Sequence, residues 1–157
     1  MSRAARGVGW LFVLWIAATP ESALAMVRCS IESSTGISFG GYRTDATAPL
    51  DSVGSVSFRC DGVMAGDMVS IRFSKGRGPG SFSARQMRSG SDRLEYNLYL
   101  DAARTVVWGD GTDGTATYNA TPVDGQVISI PVYGRIPPQQ NVAAGTYSAT
   151  VTVQMLF

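Results

Sequence analysis

Histidine is absent from all 157 residues of this chain. Its absence removes the Ser-His-Asp triad, Cys-His nucleophilic pairs and every imidazole-based zinc or copper site. A surplus of charge is lacking too: 13 Lys and Arg face 12 Asp and Glu, for a formal net charge of +1. Without a basic excess there is no electrostatic footprint for nucleic acid or an anionic membrane. Cysteine occurs only twice, at Cys29 and Cys60. The longest apolar run, Val8 to Ala18, is too short to cross a bilayer, which takes about 20 residues.

That run has a different meaning in its context. Arg3 and Arg6 precede it, and Thr19-Pro20-Glu21-Ser22-Ala23-Leu24-Ala25 follows, with small residues at Ala23 and Ala25. A basic start, a short apolar centre and an A-x-A site describe a secretory signal peptide over residues 1–25. Cleavage after Ala25 leaves one domain, residues 26–157, a length that supports a single core. It also removes two basic residues and one acidic residue, so that the two signs balance. An exported chain meets an oxidising compartment, and the pair Cys29 and Cys60 is expected to form one structural disulfide. Some 30 residues of enclosed loop give it roughly 3 kcal/mol or more in the chain-entropy picture.

Period-2 alternation recurs along residues 26–157, broken by Gly, Asp, Asn and Pro, and no helical period is sustained. Val27, Cys29 and Ile31 mark one strand, with Val56, Phe58 and Cys60 on a second, so that both cysteines face inward. Val69, Ile71 and Phe73 follow, then Leu94, Tyr96, Leu98 and Leu100, a short run from Thr105 to Trp108, and Ile128, Ile130 and Val132. Pro131 in that last strand predicts an edge or a bulge, because proline cannot donate a ladder hydrogen bond. The most regular segment is the last, in which Tyr147, Ala149, Val151, Val153, Met155 and Phe157 alternate with polar residues and Leu156. About seven strands at this spacing predict an all-β, immunoglobulin-like sandwich.

Candidate chemistry is sparse. Asp92, Glu95, Asp101, Asp110 and Asp113 crowd one region, and turn chemistry explains them better than a catalytic carboxylate pair. The loop from Asp110 to Gly114 supplies oxygens for calcium but has neither the 12-residue spacing nor the closing Glu of an EF-hand. No cofactor or metal is implied. Tyr99, Trp108 and Tyr118 are a candidate glycan-stacking surface, with core packing the stronger reading for Trp108.

Four strings carry a resemblance. They are Ser38-Phe39-Gly40-Gly41-Tyr42, then Tyr96-Asn97-Leu98-Tyr99 continuing into Asp101-Ala102-Ala103-Arg104-Thr105-Val106-Val107-Trp108-Gly109-Asp110-Gly111, then Val132-Tyr133-Gly134-Arg135-Ile136-Pro137, and Ala144-Gly145-Thr146-Tyr147-Ser148-Ala149-Thr150-Val151-Thr152-Val153. In that order they resemble the spore coat U family, the domain of Csu-type subunits of archaic chaperone-usher pili. The resemblance implies an incomplete, pilin-like sandwich lacking its final strand. It implies a periplasmic chaperone that lends a strand, an outer-membrane usher, and other pilin-like subunits as partners. Export through the periplasm to the cell surface, in a pilus or coat that supports adhesion or biofilm, follows from it.

The alternating last strand independently suggests the same economy, since a free edge invites pairing. Val151, Val153, Met155 and Phe157 are the expected lining of the partner-strand groove, with the terminal carboxylate docking on basic residues of the chaperone. With Met26, Val27 and Arg28 alone between the cleavage site and Cys29, the subunit is expected to receive a strand and hardly to give one, a terminal or tip-like position. The competing reading is a stand-alone secreted sandwich that binds a glycan or surface.

Overall fold

The computed structural model describes residues 26–157; the signal peptide expected over residues 1–25 lies outside them. Eight strands occur among the described residues: β1 (Arg28–Thr35), β2 (Leu50–Asp61), β3 (Val69–Phe73), β4 (Arg85–Ser89), β5 (Asp92–Tyr99), β6 (Tyr118–Ala120), β7 (Val127–Ile136) and β8 (Val153–Leu156). They form a five-stranded sheet in the order β1-β2-β7-β5-β4 and a three-stranded sheet in the order β6-β3-β8. Every named pairing is antiparallel.

Alternation decides which side chains enter the core. Val56, Phe58 and Cys60 of β2 share the inner face of the larger sheet with Leu94, Tyr96 and Leu98 of β5 and Ile130, Val132 and Ile136 of β7, and Val69, Ile71 and Phe73 of β3 come from the smaller sheet, all buried. Trp108 is the centre of this packing. It has no exposed surface, its ring stacks on Phe73 at 4.3 Å between centroids, and its Nε1 donates to the Ile71 carbonyl at 2.9 Å. A large ring thus enters the core with its one polar atom paired, which is what burying an indole requires.

Beside it lies a buried cation. Arg85 of β4 is fully enclosed, and its guanidinium donates to the carbonyls of Ser74 and Trp108 and to Oδ1 of Asn97, with the Phe82 ring 5.3 Å from its centre. Asn97 in turn donates to the carbonyls of Phe82 and Ser83. Loss of solvent pulls the Arg85 pKa down to about 10, a cost that these oxygens offset.

Two expectations are corrected in detail, and the edge or bulge expected at Pro131 is located. Ile31 of β1 is 38% exposed and Cys29 only partly buried, because β1 is the edge of the larger sheet and the smaller sheet does not cover it. Pro131 sits in β7, an inner strand, yet β5 pairs only with Tyr133, Gly134 and Arg135, so at Pro131 the strand has β2 alone as neighbour. The proline therefore occupies a local edge. The last segment is a regular strand only over Val153–Leu156. Before it, Ser148 exchanges two backbone hydrogen bonds with Arg88, and Thr152 bonds to Ser74, as the chain passes from β4 to β3.

Candidate strand-acceptor groove

Five strands lie opposite three, so part of the larger sheet's inner face has no strand above it. The chain covers this part with two irregular segments. Residues 34–45, leaving β1, form one wall; residues 142–153, leading into β8, form the other. Between them run two adjoining clefts. One, of about 410 Å³, has Val56, Phe73, Met87, Tyr96, Leu98 and Val132 as its floor. The other, of about 840 Å³, opens over Leu94 and Ile136 and continues past Tyr42, Arg43, Thr44 and Asp45.

The first wall depends on two glycines. Gly54 of β2 and Gly134 of β7 fall at inward positions where alternation would otherwise place a side chain. A Cβ on Gly54 would lie 2.9 Å from Cγ1 of Ile37, and one on Gly134 would lie 2.7 Å from Cζ of Phe39. Bare backbone here makes seats for Ile37 and Phe39, a common use of glycine within a strand. Phe39 then meets Tyr96 edge-on at 6.3 Å. Tyr42 ties the wall to the far side by donating to the Pro137 carbonyl and accepting from the Gln140 amide.

Both flanking strands are sheet edges. Among the described residues β1 pairs only with β2 and β8 only with β3, and the two approach one another. The groove is nearly free of charge: Arg43 and Asp45 at its mouth are paired with each other at 2.8 Å. An uncharged trough between two unpaired edges can accept an extended segment by main-chain pairing, with alternate side chains entering the clefts.

Of the residues expected to line this groove, Val151 and Val153 border the smaller cleft. Met155 shares their face but packs on the core opposite Ile71, and Phe157, 58% exposed, lies past the end of β8. Tyr147, the first residue of the alternating last segment, lines both clefts, as do Ile37, Phe39 and Met87, which alternation did not single out. The signals available were the glycines interrupting β2 and β7, and the Ser38-to-Tyr42 string.

The three aromatics offered as a ligand surface do not converge. Trp108 is in the core, Tyr118 packs on it at 6.1 Å, and Tyr99 lies on the outer face of the other sheet opposite Tyr133. Cys29 and Cys60 are cross-strand neighbours joined by a disulfide, with Cα atoms 4.1 Å apart. Both carboxylate oxygens of Asp101 accept from the Thr105 amide, one also from Val106 and the other from the Thr105 hydroxyl; Asp110 accepts from Thr112. These bonds hold both acids below the usual carboxylate range, led for Asp101 by the Val106 amide and for Asp110 by the Thr112 hydroxyl. Among the described residues no three acidic or cysteine side chains gather as a metal site would require.

Fold and groove together define an immunoglobulin-like sandwich of the pilin kind, open where a last strand would lie. The chain belongs to the spore coat protein U domain family, which matches residues 16–154. Protein U of Myxococcus xanthus is 33% identical over 144 residues, covering 82% of this chain and 77% of that protein. The solved pre-assembly complex of the chaperone CsuC and tip adhesion subunit CsuE from Acinetobacter baumannii Csu pili is similar in fold. Its TM-score is 0.58 at 23% identity, over 84% of this chain and 40% of that one, so this chain spans well under half of its length. A chaperone-usher pilus structure matches all of this chain and 99% of its own, with a TM-score of 0.51 and 14% identity.

Proposed function

We propose that this protein is a non-catalytic structural subunit of a surface fibre or coat, and that it is completed by a strand from another chain laid between β8 and the wall after β1. The observation that carries this reading is the uncharged groove bounded by two unpaired sheet edges. Exposed edges beside an apolar trough aggregate unless something pairs with them. Kinship with Protein U and likeness of fold to a chaperone-bound tip subunit support a route in which a periplasmic chaperone lends the strand first and a neighbouring subunit replaces it. An outer-membrane usher, and a role in adhesion or biofilm at the cell surface, belong to the same reading.

Val151 and Val153 are the groove residues of the last segment in this scheme, with Met155 supporting them from below. A terminal or tip-like position, in which the subunit receives a strand, belongs to the same reading and is supported by the likeness of fold to the chaperone-bound tip subunit.

The test is to append an alternating apolar segment after Phe157 through a short flexible linker. The extended protein should be a soluble monomer with a clearly raised Tm, whereas the unextended chain should aggregate. An appended segment of the same length with charged inward residues should fail to stabilise. Equal stability of all three proteins would show that the sandwich needs no added strand and would favour a stand-alone binding module.

A further inference from the structure

The two signs of charge balance over the chain as a whole but not over residues 72–93. Six of the 13 basic residues fall in that stretch, Arg72, Lys75, Arg77, Arg85, Arg88 and Arg93, against one acid, Asp92. Elsewhere the cations have partners. Arg43 pairs with Asp45, Arg59 with Asp61, and Arg104 and Arg135 with Asp51, while Arg28 lies across from Asp61 in the β1–β2 register. Within the stretch, carbonyl oxygens and Asn97 enclose Arg85, and Arg72 attracts the Asp110 carboxylate. Lys75, Arg77, Arg88 and Arg93 join no ion pair among the described residues.

The fold gathers these four cations. The glycine-rich loop after β3 runs back alongside β4, so that a Cβ on Gly80 would lie 3.2 Å from the Gln86 amide nitrogen and one on Gly78 would lie 3.4 Å from Nε of Arg88. Lys75 and Arg77 are exposed on that loop, and Arg88 is exposed on β4 beside it. Arg93 of β5 is the direct cross-strand partner of Arg88, and like charges so placed repel. Arg93 turns its Nη1 to the carbonyls of Gly90, Ser91 and Asp92, whereas the Arg88 guanidinium rests on bare backbone at Gly78. Exposed hydroxyls flank the patch. Ser148 is tied through its backbone to Arg88, and the Thr150 carbonyl would lie 3.3 Å from a Cβ on Gly76. The two aromatic residues of the stretch, Phe73 and Phe82, are both buried.

We propose that Lys75, Arg77 and Arg88 form a binding site for an anionic polysaccharide, an extended chain with carboxylates at intervals and hydroxyls between them. Guanidinium forks take carboxylates in bidentate fashion, and the lysine adds a point charge. The flanking serine and threonine hydroxyls both donate to and accept from sugar hydroxyls. With its rings buried, the patch offers no platform for the base stacking that holds single-stranded nucleic acid. The three cations lie outside both clefts, so no pocket encloses a small anion, and salt screens their attraction beyond about 8 Å. Affinity therefore comes from charges repeated along a polymer. The site stands apart from the acceptor groove and does not depend on it.

The test uses the disulfide-bonded protein as exported, tethered sparsely to a sensor surface, with an oligouronate, a neutral oligoglucan and an oligoglutamate of equal length as probes. The oligouronate should bind and the oligoglucan should not, and the affinity should fall about tenfold as salt rises from about 50 to about 200 mM. Arg77→Gln and Arg88→Gln should each weaken binding about three- to tenfold, and Lys75→Gln less, since a point charge lacks the fork. Arg28→Gln, on the opposite edge strand of the larger sheet, should leave it unchanged. Arg88→Gln should also keep the Tm level or raise it, because one of two opposed arginines is gone. Its lost binding then reports the site and not a failed fold. Equal binding of the neutral glucan, or uronate binding that survives Arg77→Gln together with Arg88→Gln, would overturn the proposal. Oligoglutamate bound as tightly as oligouronate would overturn the glycan and assign the patch to an acidic protein segment. Absence of all binding at the lower salt would overturn both and leave the acceptor groove standing.

Discussion

Around Trp108 the sandwich is closed on all sides; around Phe39 and Tyr147 it is open. At the closed end, β3 and β6 cover the larger sheet, and the apolar groups of Phe58, Ile71 and Trp108 have no solvent exposure. The Trp108 Nε1 and the Arg85 guanidinium are paired within the chain there, the guanidinium through four hydrogen bonds to Ser74, Asn97 and Trp108. At the open end the walls are irregular, their side chains half-buried, and the covering strand is missing from the sheet order. The difference shows how a subunit can fold far enough to be recognised yet remain unfinished. One end supplies a rigid frame, and the other leaves a strand-shaped vacancy in it.

Damage to the closed end should therefore cost stability whether or not a strand is supplied. Trp108→Ala is expected to have the largest effect, roughly 3 to 5 kcal/mol, through a large cavity and an unpaired Ile71 carbonyl. Urea unfolding of the strand-appended protein measures it. A loss confined to the unappended protein would mean that the two ends are not separable. Arg85→Met comes next at about 2 to 4 kcal/mol: the replacement packs well, but three oxygens lose their donors. If Arg85→Met is neutral in the same assay, the guanidinium cage contributes nothing net.

The closed end was the more legible in sequence. Val56, Phe58, Val69, Ile71, Phe73 and Leu94 announce themselves by period-2 alternation, and two cysteines in an exported chain leave one disulfide to draw. The chain's partners at the open end were less so. Ile37 and Phe39 lie outside any strand and are held by glycines, so no periodicity marks them. Arg85 sits in a segment, Arg-Gln-Met-Arg-Ser, whose polarity hides a strand, and only its tertiary cage makes it a core residue. Val151 and Val153 alternate as a strand should, yet residues 147–152 are irregular because only isolated backbone bonds to Arg88 and Ser74 hold them. Alternation reports which side chains face a core, whereas the regularity of a strand also needs neighbours on its edges.

Between the two ends lies the disulfide. It clamps β1, a strand whose own side chains bury little, onto β2. Cys29→Ser with Cys60→Ser should cost about 2 to 4 kcal/mol in denaturant unfolding, and proteolysis should cut first within residues 28–45. Cutting that begins elsewhere would show β1 held by other means. Val151→Ser should cost only about 1 kcal/mol without a donor, since the side chain is half-buried. Its effect should grow when a strand is supplied, visible as a smaller rise in Tm on adding the segment. An unchanged rise would place the strand elsewhere.

The smallest effect concerns a feature that neither end contains. On the outer face of the larger sheet, Asp51 accepts two hydrogen bonds from Arg135, at 2.7 and 2.8 Å, and lies 3.3 Å from Arg104. The Arg135 guanidinium chiefly holds its carboxyl below the usual carboxylate range. A carboxyl with a folded pKa below its unfolded value of about 3.9 contributes stability that is complete above that value and is lost as pH falls through the folded one. With no histidine in the chain, the denaturation midpoint should stay level from about pH 8 to 5 and decline below about pH 4. Asp51→Asn should remove part of that decline, under about 1 kcal/mol because the pair is one-third exposed. Asp101, drawn down chiefly by the Val106 amide, supplies a further part. The same decline should appear with and without an added strand, because these acids line neither cleft. If the added strand flattens it, the outer face and the groove are coupled through β2 and β7, and the frame is less rigid than its closed end implies.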